Sequence, residues 1–156
     1  MRSAGSVGEM MWTRDEIATV GLDAPIGRVV EVMAATAVEG VLVLDDRDRV
    51  VGSIADEQLI AQANRCRTKP WWRSLLAAGG DPAKSDGLFD VTAGETMLKR
   101  VVPVTPALSA ESAIRIFDEE AVNVLPVVYA GRLVGALFRR DLMRRVLQPF
   151  SGVSEI

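Results

Sequence analysis

Few residues in this chain could do chemistry, and the informative ones gather toward its C-terminal end. Arg139 and Arg140 stand side by side just before Asp141, and guanidinium groups offer paired donors to phosphate oxygens. The same arginines would serve equally as a solvated helix face, and Asp141 as an acid favoured at a helix start by the dipole. Asp56 and Glu57 are adjacent acids, but nothing fixes two carboxylates across a substrate as glycoside cleavage requires. The sequence has no histidine, so the commonest general base and the commonest transition-metal ligand are both missing. Cys66 is the single cysteine, which excludes an internal disulfide and fits a reducing cytosol. Its neighbours Arg65 and Arg67 are the one hint of thiol reactivity. No Gly-x-Ser-x-Gly elbow, phosphate-cradling loop or Cys-x-x-Cys is present. No catalytic residue and no metal ligand is expected.

At 156 residues, 49% hydrophobic and 25% charged, the chain has a globular make-up and suits one compact domain of two halves. Its net charge of −3 supplies no overall pull toward nucleic acid or an anionic membrane. Arg132, Arg139, Arg140, Arg144 and Arg145 form a basic cluster, yet no aromatics are interleaved with them, which argues against nucleic-acid binding. No apolar run approaches the ~18 residues a membrane helix needs. The N-terminus carries one arginine and no secretory apolar core, so a cytoplasmic protein with no membrane partner is expected.

The elements that must position these residues occur twice. Ser6-Val7-Gly8-Glu9-Met10-Met11 returns as Thr92-Ala93-Gly94-Glu95-Thr96-Met97. Ala37-Val38-Glu39-Gly40-Val41-Leu42-Val43-Leu44 returns as Ala121-Val122-Asn123-Val124-Leu125-Pro126-Val127-Val128. Each copy then reaches a turn, an apolar couplet and a glycine, Arg49-Val50-Val51-Gly52 and Arg132-Leu133-Val134-Gly135. Either copy is too small to close a core alone, so the two should pack face to face and leave a cleft for a small molecule.

Each copy reads as strand, helix, strand, strand, helix. In the first, Ile17–Val20 is a strand, and Asp23-Ala24-Pro25 opens a helix with Ile26, Val29, Val30, Met33 and Ala37 on one face. Val41–Leu44 and Val50–Ile54 flank the polar turn Asp45–Asp48, and Asp56–Gln62 reads as a helix with Leu59 and Ile60 inward. In the second, Val101–Val104 reads as a strand. Ser109 caps a helix with Ala110, Ala113, Ile114, Phe117 and Ala121 inward. Val124–Tyr129 and Leu133–Phe138 form a hairpin turning at Ala130-Gly131, and a last helix near Asp141 buries Leu142, Val146 and Leu147. The patterns Ser6-x-x-Glu9 and Thr92-x-x-Glu95 are capping boxes that start a short helical turn. Residues 63–90 have no counterpart; Lys69–Leu76 could form a short helix, with Trp71-Trp72 as a cover for the seam or a docking patch.

The ordered set resembles a tandem pair of CBS domains, the cystathionine β-synthase-type regulatory module, over nearly the whole chain apart from the insert. The resemblance rests on Gly8-Glu9-Met10-Met11 and Gly94-Glu95-Thr96-Met97, and on Leu125-Pro126-Val127-Val128 with its looser partner Val41–Leu44. It rests also on the closings Gly52–Ile60 and Gly135–Met143, of the form Gly, two apolar residues, Ser or Thr, two variable residues and Asp. It implies an α/β (α+β) fold of two βαββα repeats packed sheet to sheet about a pseudo-two-fold. The module would span 1–156, with repeats at 6–62 and 91–148, the insert at 63–90 and a tail at 149–156.

The resemblance further implies binding of an adenosine derivative: AMP, ADP, ATP or S-adenosylmethionine. In the second repeat it places Val101 and Val102 at the adenine-reading strand and Val124, Leu125 and Pro126 at the apolar wall. Asp141 would accept the ribose hydroxyls, and Arg139 and Arg140 would face phosphate. Phe138 departs from the pattern, because it stands where a Ser or Thr hydroxyl should be. In the first repeat Ala55 and Gln58 replace the hydroxyl and the carboxylate, so that site is expected to be empty or to serve a different ligand. The expected function is a non-enzymatic regulatory module that needs no cofactor, forms a homodimer and acts on an unidentified partner protein. The alternative is a ligandless scaffold that works through dimerisation.

Overall fold

The computed structural model describes residues 5–36, 39–65 and 91–151. Cys66, the Lys69–Leu76 helix and the Trp71-Trp72 pair lie outside the described residues. The chain forms two compact units, and neither is a contiguous repeat: one joins residues 1–17 to 101–156, the other is 18–100. Each unit therefore takes in a short segment from the opposite sequence repeat.

The first unit opens with α1 (Val7–Met10), where the Glu9 carboxylate accepts the Ser6 N–H at 3.2 Å. It continues through β1 (Trp12–Thr13) and resumes with α5 (Ala110–Glu120), β5 (Val124–Tyr129), β6 (Arg132–Phe138) and α6 (Arg139–Ser151). Ser109 caps α5, its hydroxyl accepting the Ser112 N–H at 3.2 Å. Ala130 and Gly131 make the two-residue turn with φ of 51° and 76°, the doubly left-handed geometry that matches strand twist. The sheet runs β1-β6-β5, all antiparallel.

The second unit holds β2 (Thr19–Gly21), α2 (Ile26–Thr36), β3 (Gly40–Leu44), β4 (Val50–Ala55), α3 (Asp56–Arg65) and α4 (Ala93–Thr96). Its sheet runs β2-β3-β4, with β2 parallel to β3 across the α2 connection. Pro25 precedes α2 rather than lying within it, and its carbonyl accepts the Arg28 N–H at 2.9 Å. α4 has the second capping box, with Glu95 accepting the Thr92 N–H at 3.1 Å and donating its own N–H to Thr92 Oγ1 at 3.3 Å. Ala18, Val20, Ile26, Val29, Val41, Val43, Ile54 and Ala93 make the core of this unit.

Five sequence expectations are corrected. Residues 101–103 form no strand; only Val104 bridges β5, at Val127. There the Val104 N–H donates to the Pro126 carbonyl at 2.9 Å and the Val128 N–H to the Val104 carbonyl at 2.8 Å. Extending that parallel ladder upstream would require the nitrogen of residue 126 to donate to Val102, and proline has no N–H. Ile60 is 61% exposed and Ile114 37% exposed, although helical spacing puts both on the inward face. Ala121 is exposed as well, because it leaves α5 in the left-handed conformation, φ 52°. In the last helix, α6, Leu142 is buried but Val146 only half-buried.

Candidate functional site

The site begins with a glycine. A Cβ on Gly135 would overlap the Trp12 carbonyl oxygen and come within 2.9 Å of Met11 Sδ, so only glycine lets β1 lie along β6. The pairing places Trp12 opposite Ala136 and Thr13 opposite Gly135. Side chains two residues apart on a strand share a face, so Trp12 lies diagonally across from Phe138. Their rings meet edge to face, centroids 6.4 Å apart and planes at 85°.

From that position the indole Nε1 donates to Asp141 Oδ2 at 2.7 Å. The bond is charge-assisted and joins residues 129 apart in the chain. Asp141 stands in the first turn of α6, where the helix dipole favours a negative charge. Its side chain is 23% exposed, and Arg144 Nη1 lies 4.0 Å from its other oxygen. Register in the hairpin sets Val124 opposite Phe138, Leu125 opposite Leu137 and Pro126 opposite Ala136. Val124, Leu125, Pro126 and Phe138 are all buried. The β6–α6 junction thus gathers Phe138, Asp141 and the start of β5, with Val101 and Val102 half-buried in the same unit.

Arg139 and Arg140 are both exposed. Arg139 lines a groove of about 640 Å³ between α5 and α6, together with Ile114, Phe117, Leu142 and Met143. Residues two apart on a helix point about 200° apart, so Arg139 and Asp141 occupy opposite sides of α6. Arg144, which the sequence marks only as part of a basic cluster, is the cation that reaches this carboxylate from one turn further along the helix. Sequence reasoning misses Trp12 altogether. Its only signal is an aromatic residue directly after the Met10-Met11 pair that opens the first repeat.

The second unit repeats the architecture without the chemistry. Gly52 is approached by Met97 and the Leu98 carbonyl, as Gly135 is by Met11 and Trp12. Leu98 bridges Ser53, so a leucine stands where the first unit has an indole donor. Gln58 takes the place of Asp141, and its Oε1 accepts the Ala55 N–H at 2.8 Å. The Gln58 side chain caps the start of α3. Among the described residues no group of three His, Cys, Asp or Glu could hold a metal ion, and no helix is long and apolar enough to cross a membrane.

Comparison with known proteins agrees with this two-part architecture. The family described as CBS domain matches residues 7–64 and 91–148. A curated relative, the CBS domain-containing protein CBSX1, chloroplastic, of Arabidopsis thaliana, is 25% identical over 155 residues, 92% of this chain and 64% of its own length. CBSX2, chloroplastic, of the same organism is 26% identical over the same shares, so this chain spans just under two thirds of these relatives. A crystal structure of CBSX2 in complex with AMP superposes with a TM-score of 0.69 at 27% identity, covering 92% of this chain and 97% of that one. A CBS domain-containing protein from Bacillus anthracis has the same fold, with a TM-score of 0.70 at 14% identity over 94% and 95% of the two chains. Two family matches that together span most of its residues, on a fold shared with solved CBS pairs, make this chain a member of the CBS-domain family.

Proposed function

We propose that this chain is a non-enzymatic regulatory module that binds an adenine nucleotide at its second repeat and thereby modulates a homodimer or a partner protein. The observation that carries the reading is Asp141, a partly exposed carboxylate at the β6–α6 junction beside the buried wall Val124-Leu125-Pro126. A carboxylate in that setting accepts vicinal ribose hydroxyls, and Val101 and Val102, half-buried in the same unit, offer apolar surface to a purine. The AMP complex of CBSX2 supports the choice of ligand class. Arg140 and Arg144 take the phosphate-facing role in this reading, because Arg139 lines the α5–α6 groove. Val101 and Val102 contribute to the adenine end as half-buried coil.

The homodimer reading draws on that groove. Ile114 and Met143 are 37% and 41% exposed, and Glu111, Asp118, Arg115 and Arg139 flank them with charges of both signs. A mixed-charge rim around an apolar centre is self-complementary, as a two-fold interface must be. The lone cysteine of the sequence keeps a reducing compartment, the cytosol, as the proposed location.

Isothermal titration of the intact chain with AMP, ADP, ATP and S-adenosylmethionine tests the proposal. Saturable heat from at least one is expected, and Asp141→Ala should abolish it. Absence of heat and of any thermal shift at millimolar ligand would sink it. The burial of Phe138 at 6% exposure favours a second reading, a ligandless dimerisation scaffold. In that case Asp141→Ala changes no ligand response, because there is none to change.

A further inference from the structure

We infer that Trp12 is an internal competitor for the Asp141 carboxylate, so that a nucleotide must displace its indole before the ribose can be gripped. This rests on the nucleotide-binding reading of Asp141 and adds to it a residue from the opposite repeat. Two vicinal hydroxyls are best accepted one by each oxygen of a carboxylate. Oδ2 is already held by the indole N–H at 2.7 Å, and Oδ1 lies 4.0 Å from Arg144. An indole nitrogen that close also brings its flanking ring carbons against the same oxygen. A ribose hydroxyl and the indole N–H therefore compete for Oδ2.

The ring is free to leave without unseating the backbone that carries it. Main-chain bonds hold the N-terminal segment: Val7 N–H to Leu108 O at 2.8 Å, Gly8 N–H to Pro106 O at 2.9 Å, and Arg14 N–H to Val134 O at 2.9 Å. Trp12 itself is 38% exposed, and its ring meets Phe138 only edge to face. The second unit serves as an internal control. There Leu98 replaces the indole and Gln58 replaces the acid, so donor and carboxylate are lost together.

The test uses the full chain carrying Trp71→Phe and Trp72→Phe, which leaves Trp12 as the single tryptophan of the original three. Without ligand, Asp141→Ala should shift the Trp12 emission to the red, since the indole loses its acceptor and becomes hydrated. AMP should produce the same red shift in the parent. Trp12→Phe keeps the aromatic edge but lacks the N–H, and by calorimetry it should bind AMP about three- to tenfold more tightly. Equal or weaker binding by Trp12→Phe, with the parent still binding, overturns the competition and leaves the nucleotide reading standing. Heat from neither protein overturns the nucleotide reading and the competition with it. Trp12→Leu, which copies Leu98 of the other unit, provides the same comparison if Trp12→Phe folds poorly.

Discussion

Gly135 and Trp12 meet backbone to backbone, so closely that a methyl group on the glycine would occupy the space of the Trp12 carbonyl oxygen. That approach lets a two-residue strand from one sequence repeat join the sheet of the other. Gly135→Ala should therefore destabilise the protein by about 1–3 kcal/mol, the usual cost of overpacking a close contact. Urea unfolding measures the loss. Hydrogen exchange should show faster exchange at Arg14, whose N–H donates to the Val134 carbonyl, than in the parent chain.

Phe138 occupies the position of a hydroxyl residue and is almost wholly buried. Phe138→Ser should cost about 3 kcal/mol of stability through the cavity it leaves. It should also raise the preference for AMP over adenosine by about tenfold, because it supplies a donor where phosphate lies in the proposed pose. Thermal unfolding and paired titrations with the two ligands separate these effects.

The Asp45 carboxylate accepts the N–H groups of Arg49 and Arg47 at 2.9 Å each and the Arg49 Nε at 3.0 Å. The Arg49 backbone N–H foremost, against partial desolvation, holds this carboxyl below its ordinary value, with help from the Arg47 N–H and the Arg49 guanidinium. A pKa lowered in the folded state stabilises the fold above the ordinary carboxylate range, and that contribution disappears as pH falls through the folded value. Asp45→Ala should be less stable than the parent at neutral pH. The gap in urea midpoints should narrow steadily on acidification.

Ala130 holds a left-handed φ of 51° in the β5–β6 turn, a conformation that costs an L-residue free energy and glycine almost none. Ala130→Gly should stabilise the chain by about 1 kcal/mol. A rise in thermal midpoint without change in nucleotide binding is the expected result.

Ile114 and Met143 expose apolar surface on neighbouring helices of one unit. Ile114→Glu with Met143→Glu should convert the proposed dimer to a monomer in sedimentation equilibrium, since like charges would face each other across its two-fold. A dimer that persists at the same concentration would place the interface elsewhere.

Much of this protein is legible without coordinates, because the signals are local. Capping boxes, the Ser109 cap, the two-residue turn and the alternation of apolar runs act over a few residues, and each forms where its residues stand. Phe138, Ala55 and Gln58 stand out only against the pattern that the family resemblance implies, since neither copy carries the hydroxyl residue. Tertiary structure decides what depends on distant neighbours. Val101 and Val102 stay outside the sheet because Pro126, on another strand, offers no N–H to them. Ile60 and Ile114 fit an apolar stripe but lie at its solvent-facing edge, next to the half-buried Leu59 and the buried Ala113. Trp12 finds Asp141 across 129 residues, a pairing that follows from the strand register set by a glycine and not from any spacing along the chain.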